Sequence, residues 1–238
     1  MSDTLTGFAA DAHVPIQSWP VSVKPSQLSL TLIPNSTTVT SPFTGAPQSE
    51  ARPGTCWRVD ESFTSLDVDH ARLARATVAQ LRGSSGRLYL QAEPGRGVIA
   101  PQPVAGNLVG VVDAGPRVAG TAGGLLQTMG WSQAEGELIY RAGDYLSVDD
   151  AKGSRHLFML LDDAVVGVDG ASELVVTPEL GGVELPAGAG IHHGGNASGV
   201  FYLVDDGQGQ IAEAPGGDYS LSFSAIEFRF ADVLRRPA

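Results

Sequence analysis

The 238-residue chain is acidic and rich in turns: Asp and Glu number 26 against 15 Lys and Arg, a net charge of −11, with 30 Gly and 15 Pro. That balance excludes a general attraction for phosphate backbones or anionic lipid, and 42% hydrophobic against 17% charged residues excludes a disordered chain. Cys56 is the single cysteine, which rules out an intrachain disulfide or a cysteine zinc cluster, and no run approaches the ~20 apolar residues of a membrane helix.

Residues 1–26 are polar, carry Pro15, Pro20 and Pro25 and lack periodicity, so they read as an arm outside the core. Met1–Pro15 has neither a cationic start nor a continuous apolar stretch. It does not read as a signal peptide, and the chain is expected to fold in a cytoplasm. The first strand is Leu28–Ile33, with Leu28, Leu30 and Leu32 on one face. A Thr/Ser-rich extended stretch follows, ending in the turn Pro42-Phe43-Thr44-Gly45. Cys56–Thr64 alternates again, Trp57, Val59 and Phe63 sharing a face. Glu61 falls on that apolar side, which requires a sheet edge or a partner.

One helix comes next. Asp67 is a suitable N-cap, and Val68, Ala71, Ala74, Val78 and Leu81 recur at spacings of three and four. Arg72, Arg75 and Arg82 point elsewhere, and Gly83 can close the helix in a left-handed turn. Arg87–Gln91 returns as a strand, and Glu93–Gly106, rich in Gly and Pro, reads as a linker.

Beyond it the texture shifts to short strands between glycine turns: Leu108–Val112, Leu125–Met129, Tyr145–Val148, Leu157–Leu161 and Leu174–Thr177, with hairpin signals at Lys152-Gly153 and Asp169-Gly170. Such a pattern suggests a small barrel or second β module. Glu179–Ser198 reads as a loop. Val200–Val204 and Tyr219–Phe230 close the chain as strands. In the last, Tyr219, Leu221 and Phe223 share a parity that Ile226, Phe228 and Phe230 do not, which predicts a bulge or sharp bend at Ser224-Ala225. Trp57, Phe223 and Phe228 are expected in the core. No repeat of fixed period is present.

Three ordered blocks resemble a family of phage tail proteins. The first is Ser41-Pro42-Phe43-Thr44-Gly45 with Gln48, Gly54 and Trp57, the helix, and Leu81-Arg82-Gly83-Ser84-Ser85-Gly86-Arg87-Leu88-Tyr89. The second is Pro116-Arg117-Val118, Gly130-Trp131 and Ala142-Gly143-Asp144-Tyr145-Leu146. The third is Gly199-Val200-Phe201 with Tyr219-Ser220-Leu221-Ser222-Phe223. Phe43 stands where the family pattern has Leu, and the N-terminal arm is not covered.

The resemblance implies a distal tail or baseplate structural protein of long-tailed phages. Such a protein forms a homo-oligomeric ring, often hexameric, that joins the tail tube protein to the receptor-binding hub around the DNA channel. It implies a mainly β fold, with a β-sandwich-like ring domain (27–103 and 197–238) carrying one short helix. A small β-barrel-like domain (104–196) is inserted, and 1–26 form the arm. The expected interface and scaffold residues are Pro42, Gly45, Trp57, Gly83, Gly86, Trp131 and Tyr145. No cofactor, membrane or sequence-specific nucleic acid is expected, and the net charge of −11 would let lumen carboxylates repel DNA.

Enzymatic features are thin. His192-His193 stand in a glycine-rich loop, point different ways on an extended chain and have no further ligand at metal spacing. Asp149-Asp150, Asp162-Asp163 and Asp205-Asp206 read as solvated turns. Asp205-Asp206-Gly207-Gln208-Gly209 lacks the alternation of a calcium loop, and a glycosidase pair would need two of these carboxylates brought together. His70 and His156 have no evident nucleophile partner, and neither a Gly-x-Ser-x-Gly elbow nor a phosphate loop occurs. Trp131, Tyr140 and Tyr145 could form a sugar platform, although core packing competes for aromatics. The reading is non-enzymatic, with a carbohydrate-binding adhesion module and a glycan hydrolase as rivals.

Overall fold

The computed structural model describes residues 16–51, 54–93, 108–110, 124–129, 131, 134–150, 154–179, 185, 189–214 and 217–229. Among them the chain is mainly β, with one α-helix. The hairpin signal Lys152-Gly153, Pro116-Arg117-Val118, Gly130, Phe230 and residues 94–106 of the expected linker lie outside the described residues. No helix of the described residues is long and apolar enough to cross a membrane.

Two compact units share the chain, each built from separate segments: Met1–Ser29, Val59–Leu90 and Val200–Ile226 in the first, and Leu30–Arg58, Gln91–Gly199 and Glu227–Ala238 in the second. A seven-stranded sheet supplies the first unit. Its order is β1 (Ile16–Ser18), β6 (Arg87–Gln91), β15 (Ser198–Leu203), β17 (Tyr219–Glu227), β5 (Cys56–Leu66), β2 (Gln27–Ile33), with β16 (Ile211–Glu213) also paired to β17. Leu30–Ile33 of β2, Cys56–Arg58 of β5, Gln91 of β6, Ser198 and Gly199 of β15, and Glu227 of β17 are counted with the second unit.

Residues 16–23 correct the expectation of an arm outside the core. β1 pairs in parallel with β6, Ile16 opposite Arg87. Trp19 packs its ring on Phe63 and Phe223 at 5.1 and 5.3 Å, and Val23 is buried. Pro20 and Pro25 obscured this segment, because a three-residue strand held by one neighbour needs no alternating run of its own. Leu88, Leu90 and Leu203 are buried in the same unit as Trp19's partners Phe63 and Phe223.

The helix α1 spans Val68–Leu81. The Asp67 carboxylate accepts the His70 amide at its N-terminus. Its inward stripe is Ala71, Ala74, Thr77 and Leu81, whereas Val68 stays 51% exposed. Arg82 already turns left-handed (φ 52°) ahead of Gly83 (φ 74°), so the helix closes one residue earlier than Gly83 alone predicts.

Alternation behaves differently at the two long strands. In β5, Ser65 is left-handed (φ 55°) and resets the parity, so Leu66 is buried two exposed positions after Phe63. In β17 the expected switch at Ser224-Ala225 does not happen. Leu221, Phe223, Ala225 and Glu227 are all buried on one parity, Ile226 and Phe228 are only half-buried, and Arg229 is buried beyond the strand. Polar residues take the inward positions because each finds a partner there. Glu61 likewise is no edge residue: β5 lies between β17 and β2, and Glu61 is 4% exposed.

The second unit holds a six-stranded antiparallel sheet, ordered β14 (Ile191–His193), β10 (Tyr145–Asp149), β11 (Arg155–Leu160), β13 (Ser172–Thr177), β8 (Gly124–Met129), β7 (Leu108–Gly110). A two-stranded ribbon, β9 (Leu138–Tyr140) with β12 (Ala164–Val165), shares its core. Leu126, Leu146, Val148, Phe158, Leu160, Leu174 and Val176 from the sheet meet Ile139, Tyr140, Ala164 and Val166 from the ribbon and its continuation. β14 lies inside the stretch expected to be a loop, since three residues are too short to show a period. Asp169-Gly170 forms a 3-10 turn ahead of β13 and not a two-residue hairpin. A separate hairpin, β3 (Ser36–Thr40) with β4 (Pro47–Ala51), forms its own two-stranded sheet.

Candidate functional site

The β3–β4 hairpin holds the expected residues Pro42 and Gly45 at its tip. Its register runs from Ser36 opposite Ala51 to Thr40 opposite Pro47, and the Thr38 and Ser49 hydroxyls meet at 2.8 Å. The turn is built by Ser41: its carbonyl accepts the Gly45 amide at 2.9 Å, and its Oγ accepts the Phe43 and Thr44 amides, each at 3.3 Å. Gly45 supplies the left-handed conformation (φ 68°) that lets the chain return. Phe43 is 95% exposed at this tip and Val39 62% exposed on the strand. The sequence marked the turn; it gave no sign that both strands beside it lie in solvent.

Gly83 and Gly86 bracket a 3-10 turn, Gly83–Ser85. The Asp206 carboxylate accepts the Ser84 amide and hydroxyl, each at 2.8 Å, and these bonds, the amide first, hold its carboxyl below the ordinary range. Gly86 has an ordinary extended backbone, but a Cβ there would run into the Leu81 carbonyl. The two glycines therefore seat the helix end against the Asp205-Asp206 turn. That turn is closed on itself by Asp205, which accepts the Gly207 amide and the Gln208 side-chain amide.

The aromatic residues are inside. Trp57 is 2% exposed, donates its indole N–H to the Leu157 carbonyl at 3.1 Å and meets the Tyr145 ring edge-on at 5.6 Å. Trp131 is 5% exposed, donates to Thr128 Oγ1 at 2.8 Å and stands perpendicular to Tyr140 at 5.6 Å. Burial, helped by the nearby Asp144 carboxylate, raises the Tyr140 phenol. Trp131 and Tyr140 thus have no open face for a sugar ring, and Tyr145 is half-buried.

The structure does bring charged groups together at the end of β10. Asp149 and Asp150 face opposite sides of the sheet. Asp149 receives Arg155 Nε at 2.7 Å and Nη2 at 3.2 Å, together with His192 Nε2 at 2.9 Å. Burial pushes the Asp149 carboxyl up, but the Arg155 and His192 bonds outweigh it and hold the group below its usual value. Asp150 accepts the Ser154 amide and pairs with His156 Nε2 at 3.1 Å, both side chains nearly inaccessible. His193, paired across from Leu146, turns inward to Tyr140; burial and then the neighbouring His192 lower its imidazole.

Neighbouring histidines on one strand alternate sides, which is why His192 and His193 separate. What sequence reasoning missed was their register opposite Ser147 and Leu146, set by a strand too short to recognise. Asp163 accepts the Ala142 amide at 2.8 Å. One member at least of each acidic pair is thus engaged by its own donor. Among the described residues no three His, Cys, Asp or Glu side chains are placed to hold a metal ion.

No protein-family model matches the sequence, and no curated protein matches it significantly.

Proposed function

We propose that the chain is a structural protein of a bacteriophage tail that assembles into a ring at the distal tail, linking the tail tube to the receptor-binding hub. The observation that carries this reading is the β3–β4 hairpin, with Val39 and the tip residue Phe43 in solvent. A lone two-stranded hairpin is marginally stable in water, and an aromatic tip 95% exposed has lost little of its hydrophobic driving force. Both costs are relieved when the hairpin lies on another subunit. A ring closes through one heterologous contact repeated by rotation, in which a projecting element of each copy meets a different surface on the next. The ordered blocks that resemble distal tail proteins include this turn, Ser41–Gly45.

The net charge of −11 suits a conduit whose lumen repels DNA, and self-repulsion keeps unassembled copies soluble. The adhesion and hydrolase readings lose their motives: Trp131 and Tyr140 are core residues, and the Asp149 and Asp150 carboxylates serve the sheet. Native mass spectrometry with negative-stain imaging tests the proposal. A closed ring with a central hole is expected, and Phe43→Ser with Val39→Ser should return it to monomers without unfolding. A wild-type monomer at every concentration, with tail tube and hub proteins also present, would overturn the reading.

A further inference from the structure

Two surfaces remain that neither fold nor hairpin uses. The first is the outer face of α1. Arg72, Ala76 and Ala79 lie along the line opposite the buried stripe, flanked by Arg75 on one side and Leu73, 47% exposed, on the other. Arg82 is exposed at the C-cap. Only the first turn is acidic: Asp69 lies 3.9 Å from Arg72, with both side chains in solvent. This is a cationic face with an apolar centre, in a chain whose net charge is −11.

The second surface is the outer side of the β9–β12 ribbon. Leu138 and Val165 are register partners, 39% and 49% exposed, while their neighbours Ile139, Tyr140 and Ala164 face the core. Val168, further along the chain, is 65% exposed. Carboxylates stand at both ends of the exposed pair: Glu135 and Glu137 lead into β9, and Asp162 and Asp163 lead into β12, all four exposed. Arg141 is the one cation in residues 134–141 and 161–168.

An apolar pair bounded by carboxylates repels a copy of itself, nucleic acid and anionic lipid, but it complements an apolar stripe bounded by guanidinium groups. We infer that these two faces are the halves of one contact between copies: the α1 face of one protomer docks on the β9–β12 ribbon of the next. This rests on the ring reading and deepens it. The two faces differ, so the contact is heterologous and propagates from copy to copy, as ring closure requires. Arginine suits the cationic half because its weakly hydrated, forked head group pairs with carboxylates at low desolvation cost.

Charge reversal tests the contact. Glu135 and Asp162 are the carboxylates to change, because Glu137 and Asp163 accept the Ala134 and Ala142 amides and so hold local turns. One variant carries Arg72→Glu and Arg75→Glu; the other carries Glu135→Lys and Asp162→Lys. Each alone sets like charge against like at every contact. In an equimolar mixture every contact between unlike variants sets opposite charges against each other, so an assembly of alternating variants is complementary throughout.

Self-association is read by analytical ultracentrifugation and native mass spectrometry, with circular dichroism confirming the fold of each variant. Each variant alone should need at least about tenfold more protein than wild type to assemble, and the mixture should recover the wild-type midpoint. Wild-type assembly should also weaken as salt rises toward about 1 M. If wild type forms rings that both variants form equally well, the contact lies elsewhere and the ring reading stands. If wild type forms no assembly even with tail tube and hub proteins, both fall. If both variants fail and their mixture fails as well, the paired-face assignment is overturned.

Discussion

The backbone amide of Trp57 donates to the Glu227 carboxylate at 3.3 Å, across 170 positions of sequence. The other oxygen of that carboxylate accepts the Leu157 amide at 3.0 Å, and Arg229 Nε adds a third donor at 3.2 Å. Arg229 in turn donates to the Glu179 carbonyl at 2.6 Å and lies over the Phe158 ring. The pair is almost wholly buried. Removing one member strands the other: Glu227→Ala leaves a guanidinium and two amides in the interior. We expect a loss of about 3–5 kcal/mol in urea titrations, and replacing both residues by apolar ones should cost less than the single change. A single-variant loss under about 1 kcal/mol would mean that water reaches Arg229 in solution.

Trp57 combines packing with a hydrogen bond, and two substitutions separate these. Trp57→Ala should cost about 3–5 kcal/mol, because the ring is 2% exposed and packs on Tyr145. Trp57→Phe keeps most of the volume but leaves the Leu157 carbonyl without its indole donor. About 1–3 kcal/mol is expected there. Equal losses for both would assign the effect to the indole hydrogen bond, which both substitutions remove, and not to volume. Chemical denaturation monitored by far-ultraviolet circular dichroism distinguishes the cases.

The elements legible in the sequence were those with a long period. Leu28–Ile33, Cys56–Thr64 and the helix from Asp67 to Leu81 each declare a face through three or more apolar positions, and the structure keeps them as β2, β5 and α1. β1, β9, β12, β14 and β16 have two or three residues each and exist because a neighbouring strand offers its edge. No local pattern can announce that. β17 misled for another reason. Hydrophobicity alone puts Ile226 and Phe228 inward and Glu227 and Arg229 outward, which demands a bulge or sharp bend. Their inward setting depends on the Trp57 and Leu157 amides and the Glu179 carbonyl, which sequence does not place beside them. Likewise the Ser41–Gly45 turn was visible and the exposure of Phe43 was not, since exposure depends on what the rest of the chain covers.

Gly86 is held by space rather than by backbone angle: its φ is −76°, which any residue adopts. A methyl group there would meet the Leu81 carbonyl and backbone, which are part of the helix end and cannot rotate away. Gly86→Ala should therefore destabilise by about 1–3 kcal/mol. Gly45→Ala, which strains a left-handed turn (φ 68°) in open space, should cost about 1 kcal/mol. Thermal melts of the two variants rank the effects. The reverse order would show that the α1 end yields more readily than the hairpin tip.

Glu61 makes stability depend on pH in a direction opposite to a salt-bridged carboxylate. Burial raises its pKa from 4.5 to about 7, and its Oε2 has no hydrogen-bond partner among the described residues. Between those two values the folded chain keeps a proton that the unfolded chain has released. Folding is thus favoured below the unfolded value and is weakened as pH rises, until the folded carboxyl has ionised too; above about 7 the effect is constant. The loss from this group is about 3 kcal/mol across the window. Glu61→Gln has no such proton, so the stability difference between wild type and variant isolates it. Urea midpoints at several pH values from 4 to 8.5 (roughly the span bracketing both ionisations) should show the variant gaining on wild type as pH rises. A difference that stays flat would mean that Glu61 ionises in the folded chain as it does in water, and that the sheet opens to admit solvent beside it.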